Sequence, residues 1–333
     1  MLAQKDSSKP SHDADTSYVK SYNEKLDLSL NFGSKYMEYK TFYSDSFYLN
    51  LRPNEVYVLS PSISYRWLSL SYSFTPEFLE FNNDNATKGT TEHRRLSTNF
   101  QFGQFNGVAL WSKTKGFYIA NTADITPGWL PGDPYIQFPD MEVKQFQVSG
   151  TYRSNKNYSV KAINGGDEEQ LKSTWTFLPG LNFNHFKFRI PSHQDQAGKT
   201  ELTNNTDVNI TLPIAGTWVL AKHMYLAGIA GPIVGIDFFK SLALDENSQP
   251  TYSKGTRVSS GFYYGFNFGY NGPKWYAGTN VYSNSYRHGA GGDNERLSKK
   301  FTQINIYAGI RIEAPKPLKQ VLDWTEKLLP FLK

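Results

Sequence analysis

Over run after run this chain alternates apolar with polar residues, and a period of two fits one element, a β-strand with two unlike faces. Val208, Ile210, Leu212 and Ile214 are separated by Asn209, Thr211 and Pro213. Phe262, Tyr264, Phe266, Phe268 and Tyr270 alternate with Gly261, Tyr263, Gly265, Asn267 and Gly269. Ile304, Ile306, Ala308, Ile310 and Ile312 alternate with Asn305, Tyr307, Gly309 and Arg311. Phe146, Val148 and Tyr152 oppose Gln145, Gln147 and Arg153, and Leu96, Phe100 and Phe102 oppose Arg95, Asn99 and Gln101. The clearest run is 57–74. Tyr57, Leu59, Ile63 and Tyr65 hold odd positions; after Trp67, Leu68, Leu70, Tyr72 and Phe74 hold even ones. Such a phase flip is what a tight hairpin does to a two-faced strand, so a turn is predicted at Arg66-Trp67.

Further strands are predicted near 25–32, 47–52, 105–117, 156–165, 172–190, 222–240, 273–285 and 299–312. Several reach the roughly 10 residues that a tilted strand needs to cross a bilayer. Soluble sandwiches use shorter strands, modally about 5–6 residues. Short turns at Arg66-Trp67, Gly103-Gln104, Ser154-Asn155, Ala221-Lys222 and Gly272-Pro273 alternate with long polar loops near 79–91, 118–141, 191–206, 241–254 and 286–299. That asymmetry matches periplasmic turns and extracellular loops. The expectation is an all-β, antiparallel, transmembrane up-and-down β-barrel over 18–313 with about twelve strands. Ten or 14 remain open, because 172–190 reads either as one strand or as two split at Leu178-Pro179-Gly180-Leu181.

Composition supports this reading. Aromatics are 16% of the 333 residues, with 22 Tyr and 23 Phe, yet mean hydropathy is −0.53. A barrel with aromatic girdles outside and polar groups inside gives both values together. The chain has no cysteine, which excludes disulfides, thiolate metal sites and a cysteine nucleophile. No run of about 18 apolar residues is present to form a membrane-crossing helix. The net charge of +5 comes with no Lys/Arg stripe along the sequence, so no nucleic-acid partner is expected. Leu2-Ala3-Gln4 resembles a signal-peptidase site. The polar residues through 17 then read as a disordered leader left after removal of a signal peptide.

After Ala314-Pro315-Lys316-Pro317, Leu318, Val321, Leu322, Leu328 and Leu329 fall at helical spacing, with Trp324 and Phe331 among them. A periplasmic amphipathic helix is predicted over 314–333, lying at the membrane interface, plugging the barrel mouth or packing on a neighbouring protein. Trp67, Trp218, Trp275 and Trp324 are the candidate interface aromatics, since amphipathic rings favour that depth.

Short motifs also carry a resemblance. Leu51-Arg52-Pro53-Asn54 is followed by Tyr65-Arg66-Trp67-Leu68-Ser69-Leu70, then by Lys115-Gly116-Phe117-Tyr118, and finally by Ala314-Pro315-Lys316-Pro317-Leu318-Lys319 and Val321-Leu322-Asp323-Trp324. In this order, from about Tyr18 to the end, the chain resembles a family of uncharacterised outer-membrane barrels from the Bacteroidota, known only as a domain of unknown function. The resemblance implies a bacterial outer-membrane location and a signal peptide. It brings no catalytic residues.

The six histidines show no zinc-peptidase spacing, and no G-x-S-x-G elbow is present, so no metal, cofactor or catalytic residue is assigned. A lipid-modifying enzyme would have to use His223, or His288 with Ser283, Ser285 and Tyr286. Asp167-Glu168-Glu169 and Asp293-Asn294-Glu295 read as charged surface loops or cation sites. The lumen-facing polar candidates are Arg66, Arg95, Asn99, Gln101, Gln145, Gln147, Arg153, Arg257, Asn267, Asn305 and Arg311. Such a lining suits a pore or a closed, internally hydrogen-bonded barrel. The Pro-rich loop around Trp129, Leu130 and Pro131 is a candidate partner-docking surface. The expected role is a non-enzymatic subunit or partner in an envelope assembly, touching outer-membrane lipids and other envelope proteins. The alternative is a small-solute porin.

Overall fold

The computed structural model describes residues 14–42, 47–54, 57–76, 78, 84–191, 200–244, 250–289 and 296–328. Its strands are β1 (Val19–Ser21), β2 (Lys25–Phe42), β3 (Tyr48–Arg52), β4 (Tyr57–Tyr65), β5 (Leu68–Phe74), β6 (Glu92–Phe102), β7 (Phe105–Ile119), β8 (Gln137–Tyr152), β9 (Glu168–Gln170), β10 (Thr174–Phe177), β11 (Gly180–Pro191), β12 (Thr200–Thr211), β13 (Ile214–Ala221), β14 (Met224–Leu244), β15 (Pro250–Asn271), β16 (Trp275–His288) and β17 (Arg296–Glu313). Helices are brief except α3: α1 (Asn85–Lys88), α2 (Thr122–Ile125) and α3 (Lys316–Leu328).

The sheet closes on itself. Its order runs from β2 through β4, β5, β6, β7, β8, β11, β12, β14, β15, β16 and β17, and β17 pairs back with β2. Every neighbour is antiparallel. β10 and β13 are not extra passes. They continue β11 and β12 past Leu178-Pro179 and Leu212-Pro213, pairing with each other, while β13 also pairs with β14. Twelve passes therefore ring the barrel among the described residues. Proline has no N–H for the ladder, so each interrupted pass bends where it occurs. Gly231 lies beside this bend, and a Cβ there would overlap Pro213.

The predicted hairpin at 57–74 forms, with Tyr65 opposite Leu68. The split at Leu178-Pro179 is real, but both halves lie on one pass. Parity is restored instead by 153–173, predicted as partly strand. Its core is a 3-10 turn at Lys161–Asn164, and the segment returns into the barrel. Strands also extend well into the predicted loops at 191–206, 241–254 and 286–299. β14 and β15 reach 21 and 22 residues, about twice a bilayer crossing.

Side-chain burial is inverted relative to a soluble protein. Outside, Leu30, Ile63, Leu96, Phe146, Ile236, Phe266 and Ile306 are exposed; inside, Asn205, Asn209, Asp237, Asn267 and Asn280 are buried. An apolar outer band around a polar interior is the arrangement of a membrane-spanning barrel. No described helix is long and apolar enough to cross a membrane.

Candidate functional site: a lumen filled from both ends

The short turns at Arg66-Trp67, Gly103-Gln104, Lys222-His223 and 272–274 all fall at one end, with α3 and the N-terminal segment 14–24, whose residues 14–17 belong to the expected leader and are held through Asp15 and Ser17. At this turn end, 153–173 folds up inside the ring. β9 pairs with β1 of the N-terminal segment as a two-stranded ribbon. Behind it Tyr158, Ile163 and the wall residues Leu178, Ala215, Tyr225 and Ala227 form one apolar cluster.

The segment is moored mostly through neutral groups. Asn164 Oδ1 accepts from Asn267 Nδ2 at 2.6 Å, Tyr282 OH at 3.0 Å and Asn280 Nδ2 at 3.3 Å. Tyr225 OH donates to the Ile163 carbonyl at 2.6 Å, and Asn271 Nδ2 donates to the Glu168 carbonyl at 2.8 Å. Arg311 is the main charged anchor. Its guanidinium donates to the carbonyls of Gly165, Gly166 and Gly272 and, at 2.6 Å, to Asn271 Oδ1. Asp27 lies 3.7 Å from its Nε. Gly165 has φ of +80°, and the Tyr276 ring occupies the space a Cβ would need. Glu169 accepts from Tyr22 OH at 2.5 Å and meets His223 Nδ1 at 2.5 Å, tying N-terminal segment, plug and wall together.

Asp167-Glu168-Glu169, predicted on a surface loop, is thus buried, because the ribbon carries it inside. Lys161 Nζ donates to Asp167 Oδ2 at 2.8 Å and to the Arg66 carbonyl at 2.6 Å. Burial pushes the Asp167 carboxyl and the Tyr22 phenol upward from their ordinary values. For Tyr22 the neighbouring Glu169 adds to the rise.

At the opposite end, where the longer loops lie, the wall's own side chains fill the lumen. Phe117, Met141 and Val143 form a buried cluster with Tyr39, Phe138, Phe188 and Ile190 against it. Beside it lies a charged network. Asp207 accepts from Lys299 Nζ at 2.5 Å and Asn184 Nδ2 at 3.0 Å, and contacts His288 Nε2 at 3.0 Å. Asp237 accepts from Asn205 Nδ2 at 2.9 Å and pairs with Arg257 at 3.2 Å. Lys299 sits 3.8 Å from the Phe186 ring centroid and Arg257 4.0 Å from that of Phe239. Ligand atoms of Asp207, Asp237 and His288 lie within 4.8 Å of one another, the spacing of a metal site. The carboxylates already face one Lys and one Arg, so charge is balanced within the chain and a divalent ion would add uncompensated charge.

The candidates sort as follows. Arg95, Asn99, Gln101, Gln145, Gln147, Arg257, Asn267, Asn305 and Arg311 lie on the inward phase of their strands, set by the register of buried and exposed positions. Arg153 is fully buried at the turn end and donates to the Gly103 carbonyl at 2.9 Å. Arg66 is a correction. It occupies the tight turn with φ of 54°, which sends it to the rim, where it meets Asp323 at 2.7 Å and Glu326 at 3.2 Å on α3. α3 does not plug the mouth. Leu322 and Leu318 pack on the outward residues Leu26, Leu28, Tyr65 and Trp67. Trp67 is part-covered by that helix, and Trp218, Trp275 and Trp324 are exposed at the same end. Trp175, outside the four candidate aromatics, is also exposed there. Trp129 donates to the Pro134 carbonyl at 3.0 Å, so Leu130 and Pro131 protrude from a turn fastened on itself at the loop end. His223 lies in a turn and His288 is buried among charges. His12, His193 and Asp293 to Glu295 lie outside the described residues, as does the leader through residue 13.

Asn164, Asp207, Asp237 and Lys299 lie outside the sequence-based candidates. Three of them carry a signal: each charge stands in the polar phase of an alternating run, beside Val208, between Ile236 and Phe238, or before the run at 304.

Closed strand pairing, an apolar outer wall and a filled lumen define the class: a twelve-stranded, internally plugged membrane β-barrel. The chain belongs to the family described as domain of unknown function DUF4421, whose model matches residues 13–311. No curated protein matches. Among solved structures, it is similar to the outer-membrane protease OmpT of Escherichia coli, at 8% identity and a TM-score of 0.40, over 88% of this chain and 98% of that one. It is also similar to the β domain of the Bordetella autotransporter BrkA, at 11% identity and a TM-score of 0.41, over 87% and 100%. The Neisserial surface protein NspA matches at 7% identity and a TM-score of 0.26, over 86% and 96%. The barrel assignment stands on this chain's own strand pairing.

Proposed function

We propose that this protein is a closed barrel of the bacterial outer membrane that acts as a non-enzymatic subunit or partner in a larger envelope assembly. The observation that carries the reading is the returning segment 153–173, hydrogen-bonded into the lumen through Asn164, Gly165 and Gly166. A pore leaves its polar lining to water, whereas here that lining is spent on internal bonds. Leu130 and Pro131 on their fastened turn offer a presentable apolar face at the loop end, as expected of a docking element. The apolar outer wall supports the membrane location, and the sequence resemblance supports an origin in the Bacteroidota. Detergent purification with in-cell crosslinking tests the role. Stoichiometric partners crosslinked through Leu130→benzoylphenylalanine support it; a barrel that crosslinks to nothing and conducts ions in a planar bilayer supports the porin instead.

A further inference from the structure

We infer that the outer wall near the loop end is a binding site for membrane lipids with phosphate-bearing headgroups, built from basic side chains that the strand register brings into one row. The row is invisible along the sequence, because its members come from different strands. Arg94 on β6 stands opposite Lys113 on β7, and Lys113 opposite Lys144 on β8. Lys144 stands opposite Lys187 on β11, Lys187 opposite Asn204 on β12, Asn204 opposite Lys240 on β14, and Lys240 opposite Lys254 on β15.

All share the phase of the exposed apolar residues. Two positions nearer the turn end on four of these strands lie Leu96, Trp111, Phe146 and Phe238, exposed by 43–48%. On β6, β7 and β8 the row marks the level at which the apolar band stops, since Glu92, Lys115 and Glu142 follow it toward the loops, and this is the depth of lipid headgroups. On β12, β14 and β15 Leu202, Leu242 and Tyr252 continue beyond it. The row lies at the loop end, which faces outward in outer-membrane barrels.

Directly opposed like charges destabilise a sheet, yet four neighbouring pairs in this row are like-charged. Glu142 relieves part of it, meeting Lys113 at 2.5 Å and Lys144 at 3.6 Å. Among the described residues no carboxylate forms an ion pair with Arg94, Lys187, Lys240 or Lys254. At the Lys240–Lys254 end the wall is also concave, with His185, Thr206 and Phe238 lining the hollow beside both lysines. On the turn side of the two ammonium groups lies a level of His185, Thr206, Phe238 and Thr256, in which the Phe238 ring gives an acyl chain its apolar contact and the hydroxyl and imidazole groups add polar partners for a headgroup. A phosphate between opposed lysines converts their repulsion into charge-assisted hydrogen bonds.

This inference rests on the membrane-spanning reading of the wall. The test uses the full chain in dodecylmaltoside, with Tm read after adding phosphatidylglycerol, phosphatidylcholine or inorganic phosphate. Phosphatidylglycerol is expected to raise Tm more than phosphatidylcholine, and inorganic phosphate alone to leave it unmoved. K187E/K240E/K254E should lose most of that difference, while K222E/K274E, reversed in the exposed turns at the other end, should keep it. If the triple reversal does not fold, K187Q/K240Q/K254Q is read the same way. Equal shifts with both lipids, a full shift with phosphate alone, or a triple variant that keeps the difference would overturn the site. A chain that stays soluble without detergent would instead overturn the membrane reading beneath it.

Discussion

At the turn end the lumen is filled by a segment that returns into it, held mainly by neutral hydrogen bonds, whereas at the loop end it is filled by the wall itself, through apolar packing and paired charges. The first closure is a separable piece of chain. The second cannot leave without unmaking the wall strands that carry it, from β2, β7 and β8 to β17. The contrast teaches that one barrel can be shut by two independent devices with different vulnerabilities, and it predicts that damage to one leaves the other intact.

The largest separation is expected from Arg311→Ala and Asp207→Ala. Arg311 serves three carbonyls and Asn271 and stands beside Asp27. Losing one partner of a buried charge pair costs about 3–5 kcal/mol. Hydrogen exchange should show 156–171 deprotected while β14 and β15 keep their protection. Asp207→Ala strands Lys299 and should cost a similar 3–5 kcal/mol, lowering the unfolding temperature and loosening the loop end with 156–171 still protected. Equal deprotection of both ends in either variant would abolish the distinction.

A smaller effect is expected at Gly165. Its φ of +80° and the Tyr276 ring leave no place for a methyl group. Gly165→Ala should weaken docking by about 1–3 kcal/mol, read as faster exchange at 161–168 alone. A variant with unchanged exchange would mean that the turn tolerates displacement of the ring.

The smallest effect is a pH dependence confined to the turn end. Burial raises the Asp167 carboxyl and the Tyr22 phenol; around Asp167 stand Lys161, Glu168 and Asp27. The docked plug therefore holds protons more tightly than the released one. The contribution is fully present below the free carboxyl's ordinary value and is lost as pH rises through the docked one. Protection factors over 156–171, which divide out the chemical exchange rate, should fall as pH rises. Asp167→Asn should flatten the part of that fall that lies below the phenol range.

Much of the wall was legible because lipid on one face and polar lumen on the other impose strict alternation. Tyr57 to Phe74 and Phe262 to Tyr270 show it, and the strands form there. Legibility fails where that contrast fails. Above the apolar band both faces are polar, so 200–206 and 250–254 read as loop although they are strand. Tyr158, Val160 and Ala162 alternate by coincidence inside the plug, where burial comes from the surrounding ring. Its signals were Gly165-Gly166 and three successive acids, which fit no membrane strand. Side chains such as Lys240 and Lys254 become neighbours only through register, which a linear reading does not supply.

The most direct test of the central claim is single-channel recording of the purified full chain in a planar bilayer. A lumen filled from both ends predicts a silent bilayer despite verified insertion. Steady ohmic steps from the inserted wild-type barrel would contradict it.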